Sequence, residues 1–121
     1  MPKKINVIKG ILKEEKLSKN SIQYYREVEI NGQWRLFNVL EEMLIAYSVI
    51  KNNVEFLVVI NLSYSKEIEN KVTVDRNLTP IGSILKDIAG KPKKLKVEEH
   101  EGRNYVCVKL KPNSFSVLKM Q

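Results

Sequence analysis

Apolar and polar positions change rhythm once, early in the chain. Ile5, Ile8, Ile11 and Leu12 fall on one face at helical spacing, with Lys9, Lys13, Glu14 and Lys16 opposite. This predicts one short amphipathic helix from Ile5 to Leu17, ended by the turn-forming run Ser18-Lys19-Asn20-Ser21. Beyond it the period shortens to two. Tyr24 to Ile30 is rich in β-branched and aromatic residues and runs into Asn31-Gly32, which readily takes the left-handed conformations of a hairpin turn. A two-residue turn would set Ile30 opposite Gln33 and Val28 opposite Arg35, sending Trp34 and Leu36 to the other face. A bulged turn would set Ile30 opposite Trp34 and Val28 opposite Leu36, gathering the apolar residues on one face, and is the reading preferred here.

Leu36 to Lys51 fits two periods. Leu36, Val39, Leu40, Met43, Tyr47 and Ile50 would form a helical stripe, whereas Met43, Ile45, Tyr47 and Val49 alternate as a strand does. From Asn52-Asn53 the pattern is plainer. Val54 to Leu62 reads as a buried strand, and Glu69 to Val74 as a short one followed by a turn at Asp75-Arg76-Asn77. Ile84 to Ile88 lies between breakers at Thr79-Pro80 and Gly90-Lys91-Pro92, and its type stays open. Leu95 to Glu99, Tyr105 to Leu110 and Ser114 to Met120 read as strands, the first two joined by a loop over His100 to Asn104. The last strand, reached through Pro112-Asn113, closes a sheet against earlier ones. The expected fold is mainly β: an antiparallel β-sandwich of about seven or eight strands with one short N-terminal helix. Residues 1–20 form the helix and turn, and 21–121 the sandwich.

Composition narrows the class. With 121 residues the chain fits one domain, and its 43% hydrophobic and 29% charged content is ordinary for a globular protein. A net charge of +7 favours solubility and anionic partners. Lysines cluster only at Lys3-Lys4 and at Lys91, Lys93, Lys94 and Lys96, a weak signature for a nucleic-acid surface. Cys107 is the single cysteine, so no intramolecular disulfide forms, and its neighbours Val106 and Val108 mark it as a small core residue. No apolar run approaches a membrane span and no signal-peptide core follows Lys3-Lys4, so a cytoplasmic protein is expected.

No catalytic constellation stands out. His100 is the one histidine and sits in the charged run Glu98-Glu99-His100-Glu101, where a surface position is expected. One histidine and one cysteine cannot hold zinc, and no base is placed to activate Ser63, Ser65 or Cys107. Glu14-Glu15, Glu41-Glu42 and Glu98-Glu99 are sequence neighbours whose side chains diverge, unsuited to paired-carboxylate chemistry. The glycines are too scattered to cradle a phosphate. Neither enzyme activity nor a cofactor is expected. Tyr24, Tyr25 and Trp34 would lie on facing strands of the predicted hairpin and could stack on sugar rings, although core packing is the plainer use of such side chains.

These pieces resemble a known arrangement. Ile8-Lys-Gly-Ile-Leu-Lys-Glu-Glu-Lys-Leu17 is similar to the last barrel helix of alpha-amylase superfamily glycoside hydrolases. Gly32 to Phe37, Met43 to Val49 and Glu55 to Ser63 look like the opening strands of those enzymes' C-terminal β-domain, and Lys111 to Leu118 like its proline-led closing strand. Similar closing strands end the accessory domains of arabinofuranosidase-type enzymes. The resemblance implies two strands across Leu36 to Lys51 with a turn at Glu41-Glu42. It also implies a non-catalytic domain that packs on a catalytic barrel or, without one, self-associates through the helix face of Ile5, Ile8, Ile11 and Leu12 and an adjoining sheet face. The barrel's catalytic motifs have no counterpart in this chain. Two alternatives remain: a glucan-binding module using Trp34 with Tyr24 or Tyr25, and a small nucleic-acid-binding protein using Lys91, Lys93, Lys94 and Lys96.

Overall fold

The computed structural model describes residues 22–36, 44–89 and 93–121. They form eleven strands and no helix: β1 (Ile22–Tyr25), β2 (Glu27–Ile30), β3 (Gln33–Leu36), β4 (Leu44–Lys51), β5 (Val54–Asn61), β6 (Ile68–Thr73), β7 (Ile84–Asp87), β8 (Lys94–Lys96), β9 (Glu98–His100), β10 (Arg103–Leu110) and β11 (Ser114–Met120). All pairings are antiparallel. A six-stranded sheet runs β1-β4-β5-β11-β7-β8, and a five-stranded sheet β3-β2-β6-β10-β9. The helix expected from Ile5 to Leu17 and the turn at Glu41-Glu42 lie outside the described residues. In the described parts of the ambiguous stretch from Leu36 to Lys51, Leu36 ends β3 and Leu44–Lys51 is strand.

The excess over the expected strand count comes largely from two crossings. Tyr24 to Ile30, read as one strand, breaks at Arg26. The Arg26 N–H still bonds the Ala46 carbonyl of the six-stranded sheet at 3.1 Å, whereas the next N–H, of Glu27, bonds Thr73 Oγ1 of the five-stranded sheet at 3.0 Å. Leu95 to Glu99 breaks at Val97 in the same way, with β8 on β7 and β9 on β10. Val97 is held by Ser83 and Gly82, donating to the Ser83 carbonyl at 2.8 Å and accepting from the Gly82 N–H at 2.9 Å. Its side chain is wholly buried.

The first hairpin corrects the bulged-turn reading. Ile30 pairs with Gln33, Glu29 with Trp34 and Val28 with Arg35, across a two-residue turn in which Asn31 (φ 53°) and Gly32 (φ 80°) are both left-handed. Such a turn matches the right-handed twist of the flanking strands, and that geometry outweighed the gathering of apolar residues on one face. Glu101-Gly102 makes the same kind of connection between β9 and β10, replacing the longer expected loop from His100 to Asn104.

Side chains from both sheets meet in one apolar cluster that includes Val28, Val72, Val106 and Val108 of the five-stranded sheet and Leu44, Leu57, Val59 and Leu118 of the six-stranded one. Because strand residues alternate, the positions between them face the other way. In the six-stranded sheet Val49, Phe56, Val58, Ile60 and Val117 form a second buried cluster. In the five-stranded sheet the same rule corrects the reading of Cys107. With Val106 and Val108 turned inward, Cys107 is exposed beside Lys71. The closing strand β11 is internal to its sheet, between β5 and β7. The loop before it is tied down by Asn61, whose buried amide donates to the Lys66, Leu110 and Lys111 carbonyls at 2.8, 3.3 and 3.1 Å.

Candidate functional site

Tyr24, Tyr25 and Trp34 do not share a sheet face. β1 pairs with β4, which places both tyrosines in the six-stranded sheet, while Trp34 lies on β3 of the five-stranded sheet. Tyr25 stands directly opposite Tyr47 and, with Gln23, Tyr24 and Ile45, lines a hollow of about 270 Å³. Burial, and next the neighbouring Tyr25, hold the Tyr47 phenol above its ordinary pKa of 10.0. Trp34 instead meets Tyr105, ring centroids 6.0 Å apart at 53°. The Arg103 guanidinium covers Trp34 at 5.1 Å and the Lys71 ammonium covers Tyr105 at 5.2 Å, cation–π contacts that fix both rings. Tyr105 also donates to Glu98 Oε2 at 3.2 Å.

At the Arg26 crossing the structure builds a buried polar node. Glu55, on β5, is 5% exposed. Its carboxylate accepts from Ser48 Oγ at 2.6 Å, Thr79 Oγ1 at 2.7 Å, Arg26 Nη2 at 3.0 Å and the Asp75 N–H at 3.1 Å. Arg26 Nε donates to Ser48 Oγ at 2.7 Å, and the Tyr24 ring lies 5.7 Å from the guanidinium carbon. A buried carboxylate requires such a set of donors. Asp75 in turn accepts the N–H groups of Asn77 and Leu78 at 2.8 and 2.9 Å, closing a tight turn over the node.

Above the node is a polar hollow of about 370 Å³, lined in part by Arg26, Glu27, Asp75, Arg76, Asn77 and Arg103. A second, of about 380 Å³, shares Arg26, Asp75 and Asn77 and extends toward Tyr24. Arg103 is oriented by Glu27, with Nε 3.1 Å and Nη2 3.3 Å from its two carboxylate oxygens. That hydrogen bond is the main cause of a raised Arg103 pKa. Arg76 and Asn77 are exposed. Tyr24 and Trp34, absent from any common face, are thus each stacked with an arginine that lines the same hollow.

The remaining sequence candidates are dispersed. Lys91 and the residues Ile5, Ile8, Ile11 and Leu12 lie outside the described residues. Lys93 donates to the Lys109 carbonyl, while Lys94 and Lys96 are exposed on the edge strand β8. His100 is exposed, 3.4 Å from Glu101. The Cys107 thiol is held above its ordinary pKa of 9.0, chiefly by desolvation and then by Glu69, which disfavours the nucleophilic thiolate. Among the described residues no three His, Cys, Asp or Glu side chains gather as a metal site, and no helix is long and apolar enough to cross a membrane.

Sequence reasoning missed Arg26, Asp75, Arg76, Asn77 and Arg103. Asp75-Arg76-Asn77 reads as a turn and nothing more. Arg26, a charge interrupting an otherwise strand-like run, was the one available signal. Compared with known proteins, the chain matches no protein-family profile and no curated protein.

Proposed function

We propose that the chain is a non-catalytic β-sandwich domain resembling the C-terminal domain of a glycoside hydrolase, and that it packs on a catalytic partner. One observation supports this reading: the outer apolar face of the six-stranded sheet is covered at its centre within the chain itself but is left open at its β1 margin. A two-layer sandwich needs one apolar face per sheet, and a sheet buried on both sides belongs to an arrangement with a layer on each. The first cluster is the interface between the two sheets. The second, around Phe56, Val58 and Val117, is turned away from the five-stranded sheet and already out of water at its centre. Its margin on β1 is open, with Tyr25 61% exposed beside the half-buried Ile45 and Tyr47. The partner continues the cover over this margin, and in its absence a second copy of the chain takes its place.

Sedimentation velocity over a dilution series tests the reading. The full chain should self-associate reversibly, and Tyr25→Asp, at an exposed position, should weaken association at least about tenfold, since a charge must be desolvated at the contact. A chain that stays monomeric at every concentration overturns the packing reading. The nucleic-acid alternative draws little support from the lysine positions described above.

A further inference from the structure

We infer that the polar hollow above Glu55 is a binding site for a neutral polyhydroxylated ligand, a saccharide unit. Its volume of about 370 Å³ lies within the range of small-molecule clefts, about 300–1,000 Å³. The lining alternates donors and acceptors. The guanidiniums of Arg26, Arg76 and Arg103 are matched by the carboxylates of Glu27, Asp75 and, behind Arg26, Glu55. Charge balance argues against an anion. Two of those guanidiniums are already paired with carboxylates, so an anion entering the hollow would gain little from them and would lie beside the Glu27 and Asp75 carboxylates, which repel it. A hydroxyl group makes no such demand, because it donates to a carboxylate and accepts from a guanidinium or amide at once.

The site is also held in place. Arg103 is clamped between Glu27 and the face of Trp34, and Arg26 between Glu55, Ser48 and Tyr24. The turn carrying Arg76 and Asn77 is pinned by the Asp75 carboxylate. Polar groups fixed before the ligand arrives lose little entropy on binding. The aromatic rings of Tyr24 and Trp34 act through these arginines, holding their guanidiniums at the hollow's lining. This inference stands apart from the packing reading, because Tyr25 and Tyr47 line neither polar hollow.

Amide chemical shifts of the full chain, titrated separately with maltotriose, cellotriose and sodium phosphate, test it. Maltotriose or cellotriose should move the amides of Arg76, Asn77, Gly102 and Arg103 saturably, with Kd of the order of 1 mM, as for an open cleft offering a few hydrogen bonds. Trp34, the only tryptophan, should report the same event by fluorescence. Arg76→Ala and Asn77→Ala, both at exposed positions, should each weaken binding at least about tenfold at unchanged Tm, while Tyr25→Asp leaves it intact. No response to either sugar, shifts confined to Tyr25 and Tyr47, or tighter binding of phosphate at the same amides would overturn the assignment.

Discussion

Glu55→Gln changes one atom in a buried node and should cost far more than its size suggests. Among the described residues the carboxylate faces only donors: two hydroxyls, a guanidinium and a backbone N–H. Glutamine keeps one oxygen for them and turns the other corner into an NH₂ that has nothing to donate to among these groups unless the Ser48 or Thr79 hydroxyl reorients. Arg26 loses its carboxylate, and the next one, Asp75, is 4.0 Å away. Removing one member of a buried pair costs about 3–5 kcal/mol. The Arg26 side chain is 17% exposed and water can reach part of it, so the low end, about 3 kcal/mol, is expected. With an unfolding entropy of about 2.1 cal/mol/K per residue, that loss lowers Tm by about 12 °C for a domain of this length.

Thermal unfolding followed by circular dichroism reads the effect directly. The loss should be nearly the same in dilute buffer and in about 1 M NaCl, because a buried pair is screened far less than a surface one. In a double-mutant cycle with Arg26→Met the two losses should fall well short of additive, since the second substitution removes the charge stranded by the first. A Glu55→Gln protein melting within about 2 °C of wild type would refute the reasoning, because no buried ion pair of this kind could then be present.

Gly32→Ala should cost about 1 kcal/mol, or about 4 °C in Tm, from the left-handed backbone alone, since an added Cβ meets nothing within 4 Å. Tyr47 supplies an alkaline signature. Its folded pKa is raised above 10.0, so the unfolded chain loses its proton first. Stability from this group is complete below pH 10 and is lost as pH rises through the folded pKa. Urea midpoints measured through this range should fall, and less so in Tyr47→Phe. Asp87→Asn should leave Tm within about 3 °C of wild type or raise it. Asp87 Oδ1 accepts from the Ala89 and Val117 N–H groups at 2.9 and 3.4 Å, contacts asparagine can keep, whereas buried Oδ2 has no partner among the described residues, and the charge it helps carry is costly to bury. A loss as large as that of Glu55→Gln would show that Asp87 is paired after all.

Most strand positions from Val54 onward were legible because alternation and turn residues act locally: Val54–Asn61 and Ser114–Met120 lie within a residue of where the pattern put them, whereas the strand Ile84–Asp87 is too short a run between breakers for its pattern to fix its type. The crossings at Arg26 and Val97 were not. An extended chain that changes sheets keeps its β conformation, so neither propensity nor period marks the change. The hairpin register failed for a related reason. Grouping Val28, Ile30, Trp34 and Leu36 on one face assumed that every large apolar side chain seeks the core, yet Trp34 is accommodated outside it by Tyr105 and Arg103, which are remote in sequence. Cys107 follows from alternation alone, because Val106 and Val108 cannot both be inward unless it is outward. The candidate site was barely legible. Its residues come from β2, the turn after β6 and the start of β10, and only tertiary structure brings them together.

The place of that site follows from the crossing itself. Ladder hydrogen bonding lapses at Glu27, where the chain enters the five-stranded sheet, and at Asp75, just past the end of β6, and the freed N–H groups must find side-chain partners. Thr73 Oγ1 takes the Glu27 N–H, and Glu55 takes the Asp75 N–H. Each such partner is a polar side chain held at an edge the core would otherwise fill with apolar atoms. Once buried, Glu55 requires a cation, and Arg26, at the point of crossing, supplies it. Two sheets joined in this way therefore carry a rigid polar floor at one end as a consequence of their connectivity. The turn from Asp75 to Asn77 then roofs that floor on one side and Arg103 on the other, leaving fixed hydrogen-bonding groups open to solvent. A ligand site here would draw on side chains that the fold already needs, which is why Arg76 and Asn77, the two residues the node does not bind through their side chains, are the ones that separate ligand binding from folding.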